Sequence, residues 1–207
     1  MKDEPKGLIL CISGPSGVGK DTIIKELLKV RMGMCHSISM TTRPPRGEER
    51  HGVDYLFTDK STFESLIESG EILEHDTYCS HYYGTPAKPI LDMVEEGTDV
   101  ILDITLKGAH EVVAKLPEAV TIFLMPPSLR SLEQRLRMRG TDPDDQIEAR
   151  LERAIAEIME AVNFDYIIVN ERIPDTIETI LAIYTAEQHR AKRLTNIAGK
   201  ITSGQWN

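Results

Sequence analysis

Gly14-Pro15-Ser16-Gly17-Val18-Gly19-Lys20 is the stretch of this chain that says most about its architecture. It follows an apolar run over residues 8–12 and precedes a helical pattern of apolar residues. That order of strand, glycine loop and helix is the context in which a phosphate-binding loop works. Glycines let the backbone curl so that several N–H groups point at one anion, and the helix N-terminus adds positive potential. Lys20 supplies a compact charge for the outer phosphates, so the stretch predicts a nucleoside-triphosphate site.

The residue after the lysine departs from the usual motif. Ser or Thr normally stands there and offers its hydroxyl to Mg²⁺, whereas this chain has Asp21 followed by Thr22. The metal contact can pass to the Asp21 carboxylate or to Thr22, or it can be weakened. Both residues are therefore candidate Mg²⁺ ligands.

Composition limits the classes of function. A chain of 207 residues suits one domain with small insertions, and a net charge of −9 argues against general binding to nucleic acid or membrane surfaces. Three widely spaced cysteines fit reduced thiols better than a disulfide framework or a zinc site. The polar N-terminus does not resemble a signal peptide, and no apolar run approaches the length of a membrane span. We therefore expect a cytoplasmic protein with small-molecule partners, and no nucleic-acid or membrane partner.

Buried strands are predicted where apolar runs alternate with helical patterns, and such alternation favours a parallel sheet. The runs cover residues 8–12, 100–104, 121–125 and 166–169. Two stretches do not fit the alternation, because residues 38–88 are polar and aromatic and residues 129–160 are dense in arginine. We expect an α/β fold of the P-loop NTPase type, with helices on both faces of the sheet. The expected division is a core over residues 1–37, 89–128 and 161–207, with insertions at 38–88 and 129–160.

Several helix features are specific enough to test. Ser61 and Glu64 have the spacing of a capping box. Apolar residues between Ile147 and Val162 fall on one helical face, and a final helix is expected from about Pro174. The tail after residue 188 has no clear pattern and is expected to fray or to dock loosely.

A second candidate anion site lies in the first insertion. Arg43 and Arg46 flank two prolines, which hold the loop extended and reduce the ordering cost of binding. Arginine suits forked recognition of phosphate, and Tyr55 and Tyr83 can add hydroxyl donors. The alternative is an ordinary solvated basic loop, since charged surface loops are common.

Taken with the glycine loop, this segment makes the chain resemble a guanylate kinase. Besides the loop at 14–20, the resemblance rests on blocks that span nearly the whole chain in order. They are Thr41-Thr42-Arg43-Pro44-Pro45-Arg46, Gly52-Val53-Asp54-Tyr55, His81-Tyr82-Tyr83-Gly84-Thr85, Ile101-Leu102-Asp103-Ile104, Arg139-Gly140-Thr141 and Tyr166-Ile167-Ile168-Val169-Asn170. The Thr-Thr-Arg block is the most specific, because many NTPases share the phosphate loop.

The resemblance implies ATP-dependent phosphorylation of GMP or dGMP, with Mg²⁺ as cofactor. It implies a GMP site that holds the phosphate and reads guanine, with an acid where a core strand meets the cleft. The residues in question are Arg43, Arg46, Tyr55 and Tyr83 for the phosphate, Ser39, Glu74 and Thr85 for guanine, and Asp103 and Thr105 beside them. Guanine presents N1–H and N2–H₂ donors side by side, so a carboxylate at Glu74 can accept from both and would stay unpaired against adenine. Asp103 is also a candidate metal ligand.

The second insertion resembles the lid of that family. By position, Arg135, Arg139 and Arg150 would close over the triphosphate and act in catalysis together with Lys20 and Arg43, since phosphoryl transfer needs alignment and charge neutralisation. The ATP site would comprise the loop 14–20 with Asp21 and Thr22, and Asn170 on the adenine side. The other lid arginines are expected to pair with nearby acids. They are Arg130, Arg137 and Arg153, and the acids are Glu133, Glu152 and those at 142–145.

One pair of residues departs from the family pattern. Members usually carry acids at both Asp103 and the second position after it, where this chain has Thr105, and Lys107 stands where Gln is usual. Because Asp21 replaces a hydroxyl and Thr105 replaces a carboxylate, one hypothesis is a local exchange in which both positions face the metal and ligand charge is kept. The competing interpretation is a site with poor metal affinity and slow turnover.

Two other functions stay open at this point. The chain can be an interaction module built on the same fold, although such modules typically lack a working phosphate loop. It can also be a related kinase with a different phosphorylated acceptor. The sequence leaves a monomer and a homodimer equally open.

Overall fold

The computed structural model describes residues 6–138, 140, 143–195 and 197–204. Its helices and strands alternate through most of this range. In chain order they are β1 Ile9–Ser13, α1 Lys20–Val30, β2 Met34–His36, β3 Met40–Thr41, β4 Leu56–Phe57, α2 Lys60–Glu68, β5 Ile72–Tyr78, β6 His81–Pro86, α3 Ala87–Glu95, β7 Asp99–Asp103, α4 Leu106–Lys115, β8 Val120–Met125, α5 Leu129–Met138, α6 Asp144–Glu160, β9 Tyr166–Val169, α7 Ile173–Gln188 and α8 Ile197–Thr202.

The core sheet has the strand order β2-β7-β1-β8-β9, and every neighbouring pair is parallel. Four of these strands match the predicted apolar runs to within one residue at each end. Strand β2 was not predicted, because it has three residues and two of them are exposed. The carboxyl ends of β1 and β7 lie side by side, with Ile12 opposite Asp103.

Alternate residues of β1 face opposite sides of the core sheet. Leu10 and Ile12 pack with residues of α1 and α7, whereas Ile9 and Cys11 pack with residues of α3 and α4. Burial raises the pKa of the Cys11 thiol, as expected for a cysteine inside the core. The predicted α/β fold, with a parallel sheet and helices on both faces, is therefore confirmed.

A second, smaller sheet has the order β4-β3-β6-β5. It contains two antiparallel pairs, β3 with β6 and β5 with β6, and all of its strands fall between residues 38 and 88. Helix α2 packs on this sheet through Phe63, whose ring stacks on Tyr82 at 5.2 Å. The capping box expected at Ser61 and Glu64 is wrong, because Asp59 caps α2 by accepting from the Thr62 N–H at 2.9 Å. The predicted division of the chain at residues 38 and 88 stays a prediction.

Helix α4 joins the two sheets. Lys107, Glu111 and Lys115 recur every four residues, so they share one face of the helix. Lys107 donates to the His75 carbonyl at 3.1 Å, and the His75 N–H donates to Glu111 at 3.1 Å. Lys115 donates to the Ile72 carbonyl at 2.8 Å. These side chains satisfy backbone groups along the edge strand β5, and thereby tie the smaller sheet to a helix of the core.

Helices α5 and α6 form a separate apolar cluster. Leu132 and Leu136 of α5 pack on Ile147 and Ala154 of α6. The expectation of one apolar face along α6 is only partly correct, because Ile155 is 46% exposed even though it falls on the predicted stripe. The last turn of α6 leaves this cluster and packs on the core instead.

The C-terminal region docks through charged side chains. The predicted final helix is α7, with Pro174 in its first turn. Beyond it, Arg193 donates to the carbonyls of Lys6 and Gly7 next to β1. The short helix α8 was not predicted from the sequence. None of the helices in the described part of the chain combines the length and the apolar character needed to cross a membrane.

Candidate active site

The glycine loop connects β1 to α1 and closes on itself through a hydrogen bond from the Val18 N–H to the Pro15 carbonyl at 3.0 Å. Gly17 has φ 91°, and a Cβ there would lie 2.8 Å from Leu136 of α5. Gly19 has φ 103° and is the N-cap of α1. Because side chains are disfavoured at these angles, the glycines fix both the curl of the loop and its close approach to α5.

Lys20 is the first residue of α1, and its ammonium pairs with a carboxylate. Its Nζ lies 2.8 Å from Oδ1 of Asp103, the last residue of β7. The two side chains are only 19% and 26% exposed, so the pair is partly desolvated. The structure thus brings together two of the predicted site residues, with the charge of Lys20 already balanced by Asp103.

Two further oxygen donors follow Lys20 directly in the chain. Asp21 and Thr22 are exposed in the first turn of α1. Burial lowers the pKa of His36 at the end of β2, while the charges of Asp103 and Asp21 raise it. No cluster of three or more metal-ligating side chains occurs among the described residues, but Mg²⁺ typically takes only one or two carboxylates and fills its shell with water and phosphate oxygens. The donor set therefore fits Mg²⁺.

Arg43 follows β3 and is only 6% exposed. Its Nε donates to the Tyr83 hydroxyl at 3.1 Å, and Nη1 donates to the Pro44 carbonyl at 2.8 Å. Its two terminal nitrogens also donate to the two oxygens of Glu49, each at 2.9 Å. The Arg46 N–H donates to the same carboxylate at 2.8 Å. The guanidinium lowers the pKa of Glu49, as expected for a charge-assisted pair.

Aromatic rings enclose the Arg43 guanidinium. Its central carbon lies 5.3 Å from the centroid of the Tyr55 ring, which in turn lies 6.1 Å from the Tyr83 ring. Burial raises the pKa of Tyr55. Of the four residues predicted to hold a phosphate, the structure therefore brings Arg43, Tyr55 and Tyr83 together. The fourth, Arg46, has an exposed side chain and joins the group through its backbone N–H.

Glu74 on β5 and Thr85 on β6 face each other across the antiparallel pair. The Thr85 hydroxyl donates to Oε1 of Glu74 at 2.7 Å. Burial raises the pKa of Glu74 to about 7, against the lowering effect of the Thr85 hydrogen bond. A Cβ on Gly108 would lie 2.4 Å from the other oxygen, Oε2, so only glycine allows α4 to approach the carboxylate this closely.

The remaining predicted guanine-site residues have local backbone roles. Thr105 is the N-cap of α4, and its hydroxyl accepts from the Gly108 N–H at 3.1 Å. Ser39 accepts the Leu56 N–H at its carbonyl at 2.9 Å, which positions β4 beside the start of β3. A hydroxyl at position 105 therefore has a structural reason, because threonine and aspartate both cap helices.

Arg135 of α5 contacts the glycine loop directly. Its Nη1 donates to the Val18 carbonyl at 2.8 Å, and Nη2 donates to the Asn170 carbonyl at 3.0 Å. The side-chain amide of Asn170 also donates to the Val18 carbonyl at 2.8 Å, and its oxygen accepts from Thr176 at 2.9 Å. Two residues predicted to contact ATP are thus joined to each other and to the loop.

The other lid arginines are mostly engaged with carboxylates. Arg137 pairs with Glu133 and Asp144, as expected. Arg153 pairs with Glu157, and with neither Glu152 nor the acids at 144 and 145, which are those of the predicted cluster that the structure describes. Arg150 is half-buried on α6 and makes contacts within the protein. Arg139 lies outside the described residues, and its predicted role in the lid stays a prediction.

Sequence reasoning missed Glu49, His36 and Thr176. Glu49 follows the arginine loop and has the sign that Arg43 requires, so its proximity was a usable signal. His36 comes before the arginine loop, but it lies in β2, which is too short to recognise from the sequence. Thr176 lies inside a helix with no local feature that marks it, and its contact with Asn170 depends on how α7 follows β9.

Known proteins match this chain over most of its length. The family model described as guanylate kinase matches residues 6–187. A guanylate kinase of Lactobacillus acidophilus is 44% identical over 190 residues, covering 91% of this chain and 93% of the relative. One of Thermus thermophilus is 46% identical over 189 residues, covering 91% of this chain and 86% of the relative. The crystal structure of guanylate kinase from Anaplasma phagocytophilum superimposes with a TM-score of 0.73 at 36% identity, covering 92% of this chain and 90% of that one. The chain therefore belongs to the guanylate kinase family.

Proposed function

We propose that this protein transfers the γ-phosphoryl group of ATP to GMP, and to dGMP, giving ADP and the corresponding diphosphate. The observation that supports this acceptor most directly concerns one face of β6. Tyr83 and Thr85 are two residues apart, so they point to the same side of the strand about 7 Å apart. Tyr83 contacts Arg43, and Thr85 contacts Glu74. A cationic group and a buried carboxylate are thus each held by a residue on the same face of one strand, one for each end of a nucleoside monophosphate.

Glu74 supplies the discrimination between bases. In its ionised form the carboxylate accepts from N1–H and N2–H₂ of guanine, whereas adenine offers no such pair of donors. Glu74 is only 5% exposed, so facing adenine would leave a buried charge with the Thr85 hydroxyl as its one donor among the described contacts. Rejection of AMP follows from that cost. Ser39 and Thr85 complete the guanine side of the proposed site, and Asp103 and Thr105 belong to the GMP site beside it.

Arg43, Arg46, Tyr55 and Tyr83 hold the acceptor phosphate in this proposal. Arg43 is oriented before any ligand arrives, since its guanidinium is buried and bonded to Tyr83. Pre-orientation reduces the entropy that binding must remove. The Arg46 side chain is exposed and can turn towards the phosphate.

The loop at 14–20 holds the outer phosphates of ATP through its backbone N–H groups. Lys20 supplies charge to the transferred group and would give up part of its ion pair with Asp103 to do so. Arg135, Arg139 and Arg150 close over the triphosphate, aligning the two nucleotides and excluding water that would otherwise accept the phosphoryl group. Phosphoryl transfer requires mainly this positioning and charge neutralisation.

Mg²⁺ is the implied cofactor, and Asp21, Thr22 and Asp103 are the residues that would hold it. When bound, the ion neutralises charge on the phosphate oxygens. The donor set that supports this assignment consists of hard oxygen ligands near Lys20, since Asp103 pairs with Lys20 and Asp21 and Thr22 directly follow it in the chain. The protein would work in the cytoplasm on small-molecule nucleotides, as a monomer or a homodimer.

A coupled assay of ADP release tests the proposal. We expect ADP release from ATP with GMP and dGMP, at least a hundredfold less with AMP or UMP, and loss of activity when Mg²⁺ is chelated. Glu74→Gln should abolish the preference for GMP, whereas Glu71→Gln, an exposed acid just before β5, should leave it unchanged. Robust ADP release with a sugar phosphate or another mononucleotide, and not with GMP, would indicate a related kinase. No ADP release with any acceptor would favour an interaction module.

A further inference from the structure

Side chains from two separate elements converge on one carbonyl of the glycine loop. The Val18 oxygen accepts from Asn170 Nδ2 and from Arg135 Nη1, each at 2.8 Å. A carbonyl oxygen has two lone pairs, so its hydrogen-bonding capacity is filled. Val18 itself is 1% exposed, so bulk water does not reach this residue.

Thr176 fixes the orientation of the Asn170 amide from the side opposite the loop. The Val18 carbonyl can only accept, so Asn170 must present its nitrogen to the loop and its oxygen to the other side. There the Thr176 hydroxyl donates to that oxygen at 2.9 Å. Asn170 and Thr176 are 4% and 2% exposed. Removing the hydroxyl would leave the amide oxygen buried without this donor.

Holding the Val18 carbonyl also sets the direction of the next N–H. In a trans peptide unit the C=O and N–H bonds point in opposite directions. With the Val18 oxygen directed at Asn170 and Arg135, the Gly19 N–H must point away from them. Gly19 has φ 103°, and a Cβ there would lie 3.0 Å from Asn170 Nδ2, so the amide lies directly against the loop.

We infer that Thr176 is a positioning residue for the phosphate loop. Through Asn170 it holds the Val18–Gly19 peptide so that the Gly19 N–H faces the bound phosphates. Asn170 accordingly serves the triphosphate by holding the loop, and does not read adenine. The inference rests on the proposed function only in taking this loop as the phosphate site of ATP.

The two roles of Asn170 predict different ligand dependence. A residue that holds the loop affects every ligand whose phosphates bind there, with or without a base. A residue that reads adenine affects ADP but leaves inorganic tripolyphosphate unchanged. Binding of both probes to the full chain, measured by titration calorimetry, separates these cases without any catalytic step.

The matched variants lie on one helix. Thr176→Val removes the hydroxyl, and Thr176→Ser restores it. Thr179→Val is the control, because the Thr179 hydroxyl donates only to the Asp175 carbonyl of its own helix and is exposed. We expect Thr176→Val to weaken ADP and tripolyphosphate by the same factor, about threefold to tenfold. Its KM for ATP should rise by a similar factor while KM for GMP stays unchanged. Thr176→Ser and Thr179→Val should match the parent protein.

Other outcomes would overturn the inference. Weaker ADP binding with unchanged tripolyphosphate binding would assign Asn170 to adenine, and equal losses for ATP and GMP would indicate general loosening of the fold. Should Thr176→Val fail to fold, Asn170→Ala removes the donor to Val18 without adding a charge, and should weaken both probes alike. If the parent protein binds both probes but does not phosphorylate GMP, the proposed function fails while the probe comparison still decides the role of Thr176.

Discussion

Glu49 accepts a hydrogen bond from each terminal nitrogen of the Arg43 guanidinium, both at 2.9 Å. A guanidinium has five N–H donors, and four of those on Arg43 are engaged with Tyr83, Pro44 and Glu49. One donor therefore remains for an acceptor phosphate while Glu49 keeps its place. The forked recognition expected from the sequence is present, but its first partner is a carboxylate of the same chain.

Replacing Glu49 should reveal what this internal carboxylate does. Glu49→Gln keeps the size of the side chain but places an NH₂ group against one of the Arg43 donors, so the guanidinium loses its fixed orientation. We expect KM for GMP to rise about tenfold or more, with KM for ATP unchanged, because charge-assisted hydrogen bonds are the strong ones. The neighbouring exposed residue gives the control, Glu48→Gln, which should behave like the parent protein. A fall in KM for GMP would mean that Glu49 competes with the phosphate instead of orienting Arg43.

GMP binding should depend on pH through Glu74. Its pKa is raised to about 7 by burial, so a large fraction of the carboxyl groups is protonated in mildly acidic solution. Only the ionised form accepts from both guanine donors, so the affinity for GMP should increase as pH rises through about 7 and then level off. Titration of GMP from pH 5.5 to 8.5 measures this. Thr85→Val removes a hydrogen bond that lowers the pKa, and should therefore move the midpoint to higher pH.

Ionisation of Glu74 should favour GMP binding but lower the stability of the fold. A carboxyl whose folded pKa is raised above its unfolded value stabilises the protein below the unfolded pKa, and this stabilisation is lost as pH rises to the folded pKa. Between pH of about 4.5 and 7, Glu74 should therefore lower the free energy of unfolding by at most about 1.4 kcal/mol per pH unit. Urea unfolding of the parent protein and of Glu74→Gln at several pH values gives the difference. A Gln variant with the same pH slope as the parent would contradict this assignment.

The turn between β5 and β6 holds two residues in a left-handed backbone conformation. Cys79 has φ 47° and Ser80 has φ 64°, between the paired residues Tyr78 and His81. Two-residue hairpin turns of this kind favour asparagine and glycine. Ser80→Gly should raise the free energy of unfolding by about 1 kcal/mol, equivalent to roughly 2–4 °C in Tm, with activity unchanged. Ser69→Gly is the control, because Ser69 has φ −78° and donates to Leu66 and Glu71, so glycine relieves no strain there and should not raise the stability. Equal effects of the two changes would show that the turn is not strained.

How much of this could be predicted depends on how local each signal is. The strands β1, β7, β8 and β9 were predicted because buried parallel strands are continuous apolar runs. The two-residue strands β3 and β4 carry no periodicity and become strands only by pairing within the smaller sheet. Their geometry depends on neighbours that are distant in sequence.

In the candidate site, too, local sequence patterns were predictable and features set by the tertiary structure were not. The glycine loop and the arginine loop are contiguous segments, so their residues could be named in advance. The pairing of Arg43 with Glu49 depends on how the loop between them turns, and that of Asn170 with Thr176 depends on how α7 follows β9. The sequence pattern also assigned Lys107 no partner, whereas the structure uses it to satisfy the backbone of β5. Residue identity was thus available from the sequence, but side-chain partnership was not.

The unusual pair Asp21 and Thr105 can be tested by a double-mutant cycle. Thr105 caps α4 by accepting from the Gly108 N–H, and aspartate caps equally well, so Thr105→Asp should leave the fold intact. Asp21 is exposed in the first turn of α1, so Asp21→Ser should also fold normally. The structure therefore allows each change to report on the site instead of on stability.

The hypothesis of a local exchange predicts rescue in the double variant. Asp21→Ser should raise the Mg²⁺ concentration needed for half-maximal activity, because it removes one negative charge from the proposed ligand set, and adding Thr105→Asp should restore it by returning that charge. Independent sites give effects that add, whereas residues sharing one ion give a coupling of about 1 kcal/mol or more. Additive effects would mean that Thr105 serves only as the cap of α4, and that Asp21 alone determines how this chain departs from the usual metal site.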